Sequence, residues 1–169
     1  MLDTSIDAIL GQEFLTWLWY QSDVAPDSFK DKKGEPFSVS LEQRVVVEGG
    51  NGDAREVATV TGNMSPLLEA RFGLLKGKKV TRATLRLEKE ELFFQFTLRA
   101  EDFSFSALKT PKIEKTDDDP DAMVLEKFFL IEQPLRILED LYSSFIRLRL
   151  SPAWNEEVPQ IQAWMTRSG

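Results

Sequence analysis

The side chains best placed to do chemistry in this sequence are basic residues near its middle. They run from the end of a predicted helix onto the polar face of a predicted strand: Lys76, Lys78, Lys79, Arg82 and Arg86. Local surpluses of lysine and arginine bind phosphate groups, so this set could contact duplex DNA or an acidic partner. The same pattern is typical of a solvated face that offsets nearby acids. Both interpretations stay open.

Carboxylates are the other chemically able groups, and their positions favour solvation. Glu88, Glu90 and Glu91 occur at a predicted turn, and the acids of the C-terminal third lie on the polar faces of predicted helices. The run at 117–119 lacks the alternating oxygen ligands and the glycine of an EF-hand loop. Ser151 has no neighbouring base to activate it. The sequence therefore predicts no catalytic residue, no metal site, no cofactor and no enzyme activity.

Two absent residue types restrict the possible chemistry further. The 169-residue chain contains no histidine and no cysteine. Histidine is the usual general base near neutral pH and the commonest metal ligand, so Ser-His-Asp hydrolysis and His-ligated metals are excluded. Without cysteine there are no disulfides and no thiolate metal sites. Two-carboxylate chemistry, a lysine base or an all-oxygen Mg²⁺ site would remain possible. The net charge of −7 argues against coating DNA by charge alone.

The sequence also predicts where the protein acts. No apolar run approaches the ~18 residues needed to span a bilayer. The first five residues include Asp3, where a secretory signal would be basic. We therefore expect a cytoplasmic protein without membrane contact.

The elements that position these groups begin with a very apolar N-terminal helix. Phe14, Trp17 and Leu18 fall on one face at helical spacing. Trp19 and Tyr20 extend the apolar surface further around the helix than one packing face requires. Either two layers of the domain enclose this helix, or Trp17, Trp19 and Tyr20 contact another chain, which could be a partner protein or a second copy.

Short strands follow this helix. Strands are predicted at 28–30, 36–40, 44–48 and 55–61, with turns at 31–34 and 49–53. Alternating apolar and polar residues at 82–87 and 92–99 give the clearest β-hairpin. Phe103, Phe105 and Leu108 are expected to cover an edge of the core.

Helices occupy the rest of the chain. A short helix capped by Ser65 and stopped by Gly77 is predicted between the two sets of strands. After a flexible loop at about 109–121, one helix ends or kinks before Pro134, a second runs to Leu148, and Asn155 caps a last one. The sequence predicts one α+β domain over 1–169, in which an antiparallel β-meander/hairpin sheet packs against the N-terminal helix and the C-terminal helices.

Three blocks of the sequence resemble a known family. They are Gly11–Trp19, then Leu68–Leu74 with Gly77 and Lys78, and finally Leu138–Trp154 with Ile161 and Trp164. In this order they are similar to the C-terminal half of bacterial proteins of the recombination-associated protein RdgC family. Paired tryptophans at fixed spacing make the resemblance moderately specific, and it spans most of the chain.

The resemblance implies a role in DNA recombination or replication. It implies a non-enzymatic accessory domain that works with a separately encoded RdgC-like body or another protein, with weak contacts to duplex DNA. The family's ring-shaped dimer and its DNA binding belong to a body that this chain mostly lacks, so no DNA-binding residue is carried over. The residues alone also allow a protein-interaction or oligomerisation module with no nucleic-acid role.

Overall fold

The computed structural model describes residues 4–49, 56–60, 71–112 and 120–167, of which 4–8, 42–44 and 56–60 are described by their backbone alone. Its strands are β1 (Ser38–Gly49), β2 (Glu56–Val60), β3 (Lys79–Lys89), β4 (Leu92–Arg99) and β5 (Phe105–Lys109). Its named helices are α1 (Thr4–Val24), a short 3₁₀ turn (Pro26–Ser28), α2 (Pro120–Arg149) and α3 (Trp154–Thr166). Residues 71–75 are also helical.

The strands form one antiparallel sheet in the order β2-β1-β3-β4-β5. The predicted hairpin is confirmed as β3 and β4, which pair Ala83 with Leu98 and Leu85 with Phe96. These four side chains are fully buried and face the helices. With helices on this face of an antiparallel sheet, the predicted α+β class is confirmed.

Two strand predictions are wrong in detail. The separate strands expected at 36–40 and 44–48 are a single strand, β1, because a shift of register between Leu41 and Val45 keeps it paired with β3. The strand expected at 28–30 is absent. A 3₁₀ turn with Pro26 in its first turn ends at Ser28, and only the isolated bridge between Lys30 and Pro36 follows.

The turn predicted at 31–34 is confirmed, and side chains hold it in place. Gly34 takes a φ of +80°, which glycine adopts without steric cost. Asp31 Oδ1 accepts the backbone N–H of Lys33 at 2.8 Å and of Glu35 at 2.9 Å. Lys89 Nζ lies 2.7 Å from both Asp31 Oδ2 and Glu35 Oε2. The hydrogen bond from Lys89 lowers the pKa of Asp31, and the bond to Asp31 raises the pKa of Lys89.

Helix α1 lies between the sheet and the C-terminal helices. Phe14 and Leu18 are fully buried. The ring of Phe14 lies 5.3 Å from that of Tyr142 and 5.6 Å from that of Phe145, both in α2. Two layers therefore enclose α1, which is why its apolar surface extends most of the way around.

The sequence predicted an end or a kink before Pro134, and the predicted end is wrong, because α2 continues through this residue. Pro134 lies inside α2 and is buried between Leu130 and Ile137 on the core-facing side. An internal proline removes one helical hydrogen bond and clashes with the preceding turn, at a cost of about 3 kcal/mol. Burial of its ring and of its neighbours offsets this cost. At 30 residues, α2 is about 45 Å long.

The start of α3 also differs from the prediction. Asn155 is not the cap, because α3 begins at Trp154 and Ala153 stands at the cap position without a side-chain hydrogen bond. Backbone bonds begin the helix instead: the N–H of Trp154 donates to Ser151 O at 3.2 Å, and that of Glu157 to Ala153 O at 3.1 Å. Ile161 and Trp164 are buried, as their spacing predicted.

Several predictions lie partly or wholly outside the described residues. These are the turn at 49–53 beyond Gly49, the cap at Ser65, and the loop at its positions 113–119. The loop is shorter at both ends than expected, because Lys109 belongs to β5 and α2 begins at Pro120. Gly77, with a φ of +89°, follows the helical residues 71–75 as predicted. No helix in the described part of the chain is long and apolar enough to cross a membrane.

Helix α1 approaches the sheet most closely at Gly11. A Cβ atom at this position would overlap the carbonyl oxygen of Ala100, which follows β4. The backbone of Ala100 is itself held, because its N–H donates to Thr81 O at 2.9 Å. Only glycine therefore fits at this point without moving the helix or the sheet.

We predict that Gly11→Ala destabilises the domain by about 1–3 kcal/mol, the usual cost of overpacking. In a solvent-exposed helix the same change would stabilise the protein by about 1 kcal/mol. The sign of the change in unfolding free energy therefore shows whether the close approach exists. Urea denaturation measures the difference. Gln12→Ala, one residue further along the helix, is the control and should change stability by less than about 0.5 kcal/mol. A stabilised Gly11→Ala variant would contradict this close approach.

Candidate functional site

The tryptophans and tyrosine considered as a partner surface lie inside the core. Trp17, Trp19 and Tyr20 expose only 7%, 3% and 6% of their surface. Trp17 packs on Phe145 at 5.7 Å, and both Trp19 and Tyr20 meet Trp164 edge-on. Burial raises the pKa of Tyr20. Of the two alternatives for this helix, the structure shows burial within the domain, and a partner must find its surface elsewhere.

The five basic residues do not form one continuous patch. Arg82 and Arg86 alternate with buried residues along β3, so they lie on the sheet face opposite the described helices, here called the open sheet face. Lys78 and Lys79 line a cleft of about 190 Å³ between α1 and α3, where the stem of Lys78 lies against Gly49. Lys76 is exposed in the turn before β3.

A third arginine on the open sheet face was not among the predicted residues. Arg99 of β4 pairs directly with Arg82, so the two side chains are cross-strand neighbours about 5 Å apart at Cβ. Its outward position in the alternating pattern of β4 was the available signal. The face is only partly cationic, because Arg86 Nε lies 2.5 Å from Glu88 Oε1 and Arg99 Nη2 lies 3.4 Å from Glu101.

A fourth arginine is buried and serves the core. Arg71, in the second resembling block, donates to Arg167 O at 2.8 Å and lies 5.4 Å from the ring centre of Trp164. Its guanidinium is 3.8 Å from Asp23, which also accepts the Trp164 indole N–H at 3.0 Å. These contacts join the end of α1, the helical residues 71–75 and α3. The cluster is fully used in holding these elements together.

The most unusual surface of the described structure is the N-terminal half of α2. Its large apolar side chains expose between 43% and 70% of their surface. They are Val124, Leu125, Phe128, Phe129, Ile131 and Leu135. Together they expose on the order of 500 Å² of side-chain surface, since a large apolar side chain presents about 150–250 Å². That is near the upper end for one patch on a monomeric protein.

Four of these residues form a stripe, here called the α2 seam: Val124, Phe128, Ile131 and Leu135. Their spacing of four, three and four residues places them on one side of the helix. The same spacing continues through Leu138, Tyr142 and Phe145. That second half of the stripe packs on α1 and on Phe103. One continuous stripe is therefore covered by the domain at its C-terminal end and uncovered at its N-terminal end.

A wide groove runs beside the α2 seam. It has a volume of about 560 Å³ and lies between residues 110–112 and α2, where Met123, Lys127 and Leu130 line it together with Ile131. Its lining is mostly apolar, with lysines at its rim. The α2 seam and this groove share Ile131 and are therefore continuous.

The sequence places these residues in an apolar helix but does not predict their exposure. One signal of exposure was available in the sequence. The segment before Pro134 carries more large apolar residues than one packing face of a short helix can bury. Among the described residues, no group of three or more His, Cys, Asp or Glu side chains could hold a metal ion. Comparison of the chain with protein-family models, with curated proteins and with solved structures found no match.

The exposure of the α2 seam predicts a clear split in stability between the two halves of the stripe. Phe128→Ser should leave the free energy of unfolding within about 0.5 kcal/mol of the original, since the residue is already in water. Phe145→Ala should cost about 3–5 kcal/mol, because Phe145 is fully buried. Urea denaturation at low protein concentration, where each chain is alone, measures both. An equal loss in the two variants would mean that Phe128 is part of the core.

Proposed function

We propose that this protein is a non-enzymatic interaction module that contacts another protein through the α2 seam. The observation that carries the proposal is the row of large apolar side chains left in water on the N-terminal half of a helix whose other half is anchored in the core. Residues at i, i+4, i+7 and i+11 are the anchors by which an apolar helix face meets a second helix or a groove.

The anchoring of α2 supports this role energetically. Leu138, Leu141 and Phe145 fix the C-terminal half of the helix in the domain. The N-terminal half is therefore presented already folded, so binding does not have to supply the entropy of forming a helix. Burial of Phe128, which is about two-thirds exposed, would contribute about 1.5–3 kcal/mol. A few such anchors are sufficient for specific recognition.

Site-specific photocrosslinking in cells tests the proposal. A photoreactive amino acid in place of Phe128 or Val124 should form covalent adducts with another protein chain. The same group in place of Glu126, which lies on the opposite side of the helix, should give an adduct yield at least tenfold lower. Adducts of equal yield at all three positions, or at none, would contradict contact through the α2 seam. The mass of the adduct identifies the partner.

A second role, weak contact with nucleic acid, is favoured by the open sheet face. Arg82 and Arg99 are cross-strand neighbours there, and Arg86 lies about 13 Å further along β3. Arg86 and Arg99 each form an ion pair on this face, and among the described residues none is found for Arg82. Together with the resemblance to the RdgC family, this supports an accessory domain in DNA recombination or replication, working with an RdgC-like body. We expect either role to be exercised in the cytoplasm.

Charge reversal tests the nucleic-acid role. In a titration of duplex DNA at low salt, the triple variant Arg82→Glu, Arg86→Glu, Arg99→Glu should weaken binding at least tenfold. It should also flatten the dependence of log affinity on log salt by about 2–3, or nearly one unit per lost phosphate contact.

The matched control changes the net charge equally at three other positions. It carries Lys30→Glu, Arg136→Glu and Arg147→Glu, which are exposed and lie away from the open sheet face. Equal losses in the two triple variants would show that only net charge matters, and would remove the assignment to the sheet face.

A further inference from the structure

We infer that the occupant of the α2 seam is the same seam of a second copy, so that two chains pair through parallel, in-register α2 segments. The inference rests on the proposed function and names its partner. Three observations support it. They are the heptad spacing of the exposed residues, the charges that flank them, and the burial of the same stripe in the domain's own core from Leu138 onward.

The spacing of the α2 seam is that of a two-stranded coiled coil. In a heptad frame, Phe128 and Leu135 take position a, and Val124 and Ile131 take position d. Each such side chain inserts between four residues of a facing helix with the same repeat. A flat groove or a sheet as the partner would not require apolar residues spaced alternately three and four positions apart. A like helix satisfies it, and the α2 seam of a second copy has the same repeat.

The flanking charges favour parallel pairing. Lys127 occupies position g and Glu132 position e of the next heptad. In a parallel, in-register pair, g of one helix lies beside the following e of the other, which brings Lys127 to the partner's Glu132 twice by symmetry. An antiparallel pair would set Glu132 beside the partner's Leu125 and leave Lys127 without a carboxylate. The present exposed pair of Glu132 with Arg136 at 2.6 Å is a weak competitor.

The extent of the pairing is limited by the fold. From Leu138 onward the stripe is covered by α1 and Phe103, so the two helices must separate there. About two heptads remain, burying on the order of 1,000 Å² over both chains, which is the lower limit of a specific interface. We therefore expect a reversible dimer with a Kd on the order of micromolar.

The absence of cysteine from the chain allows a direct test of register. Single variants Val124→Cys and Ile131→Cys place a thiol at positions where identical residues of a parallel pair face each other. Mild oxidation should convert most of each variant to a disulfide-linked dimer, since the facing Cβ atoms lie near the required separation. Glu126→Cys, at an exposed position on the opposite side of the helix, is the control and should yield at least tenfold less disulfide-linked dimer.

Light scattering over a concentration series tests the association itself. The unmodified chain should change from monomer to dimer as its concentration rises through the micromolar range. Phe128→Glu should weaken the dimer at least thirtyfold while leaving the circular dichroism spectrum unchanged. Leu150→Glu is the matched control, because Leu150 is 81% exposed but lies outside the α2 seam. This control should dimerise like the original chain.

Each other outcome overturns the inference. A monomer at millimolar concentration excludes the second copy, and a dimer insensitive to Phe128→Glu uses another surface. A sensitive dimer that does not crosslink at positions 124 and 131 is not parallel and in register. The broader proposal fails separately. If the chain is monomeric but photocrosslinks through position 128 to a different protein, the module stands and only the second copy is excluded.

Discussion

The packing of α1 is the constraint on which the rest of this structure depends. One side of the helix lies against the buried face of the sheet, where Gly11 comes close enough to Ala100 that no side chain fits between them. The other side carries Phe14 and Trp17 against Phe145 of α2. Because α1 is covered from both sides, it can be apolar nearly all around without exposing surface to water.

This arrangement also decides what happens to α2. Along its core-facing side α2 is buried from Leu130 onward, but its stripe of apolar residues lies against the core only from Leu138 onward. A stripe that contributes Phe145 to the core therefore continues into water as Phe128 and Val124. Because α2 continues through Pro134, the exposed and the buried parts of the stripe belong to one helix. A helix that ended before the proline would have left a separate, movable element.

The three blocks that resemble the RdgC family meet in the same interior. Trp19 of the first block packs on Trp164 of the third at 5.1 Å, and Arg71 of the second lies over the same indole. The residues that carry the resemblance therefore describe how the domain packs. The surfaces available for contact, the α2 seam and the arginines of the open sheet face, consist largely of other residues. The proposed setting in DNA recombination or replication therefore rests on buried residues, and the proposed contacts rest on exposed ones.

The sequence by itself determined the elements whose pattern is local. These are the β3–β4 hairpin, the turn around Asp31 and the apolar faces of α1 and α3. They could be predicted because alternation, turn chemistry and helical spacing depend on residues close together in the sequence. It did not determine that β1 is one strand or that α2 passes through Pro134, since pairing with β3 and burial of the proline override local preferences. Only the tertiary structure decided which apolar residues remain in water. Phe128 and Phe145 belong to the same stripe, and they differ only in whether α1 lies beneath them.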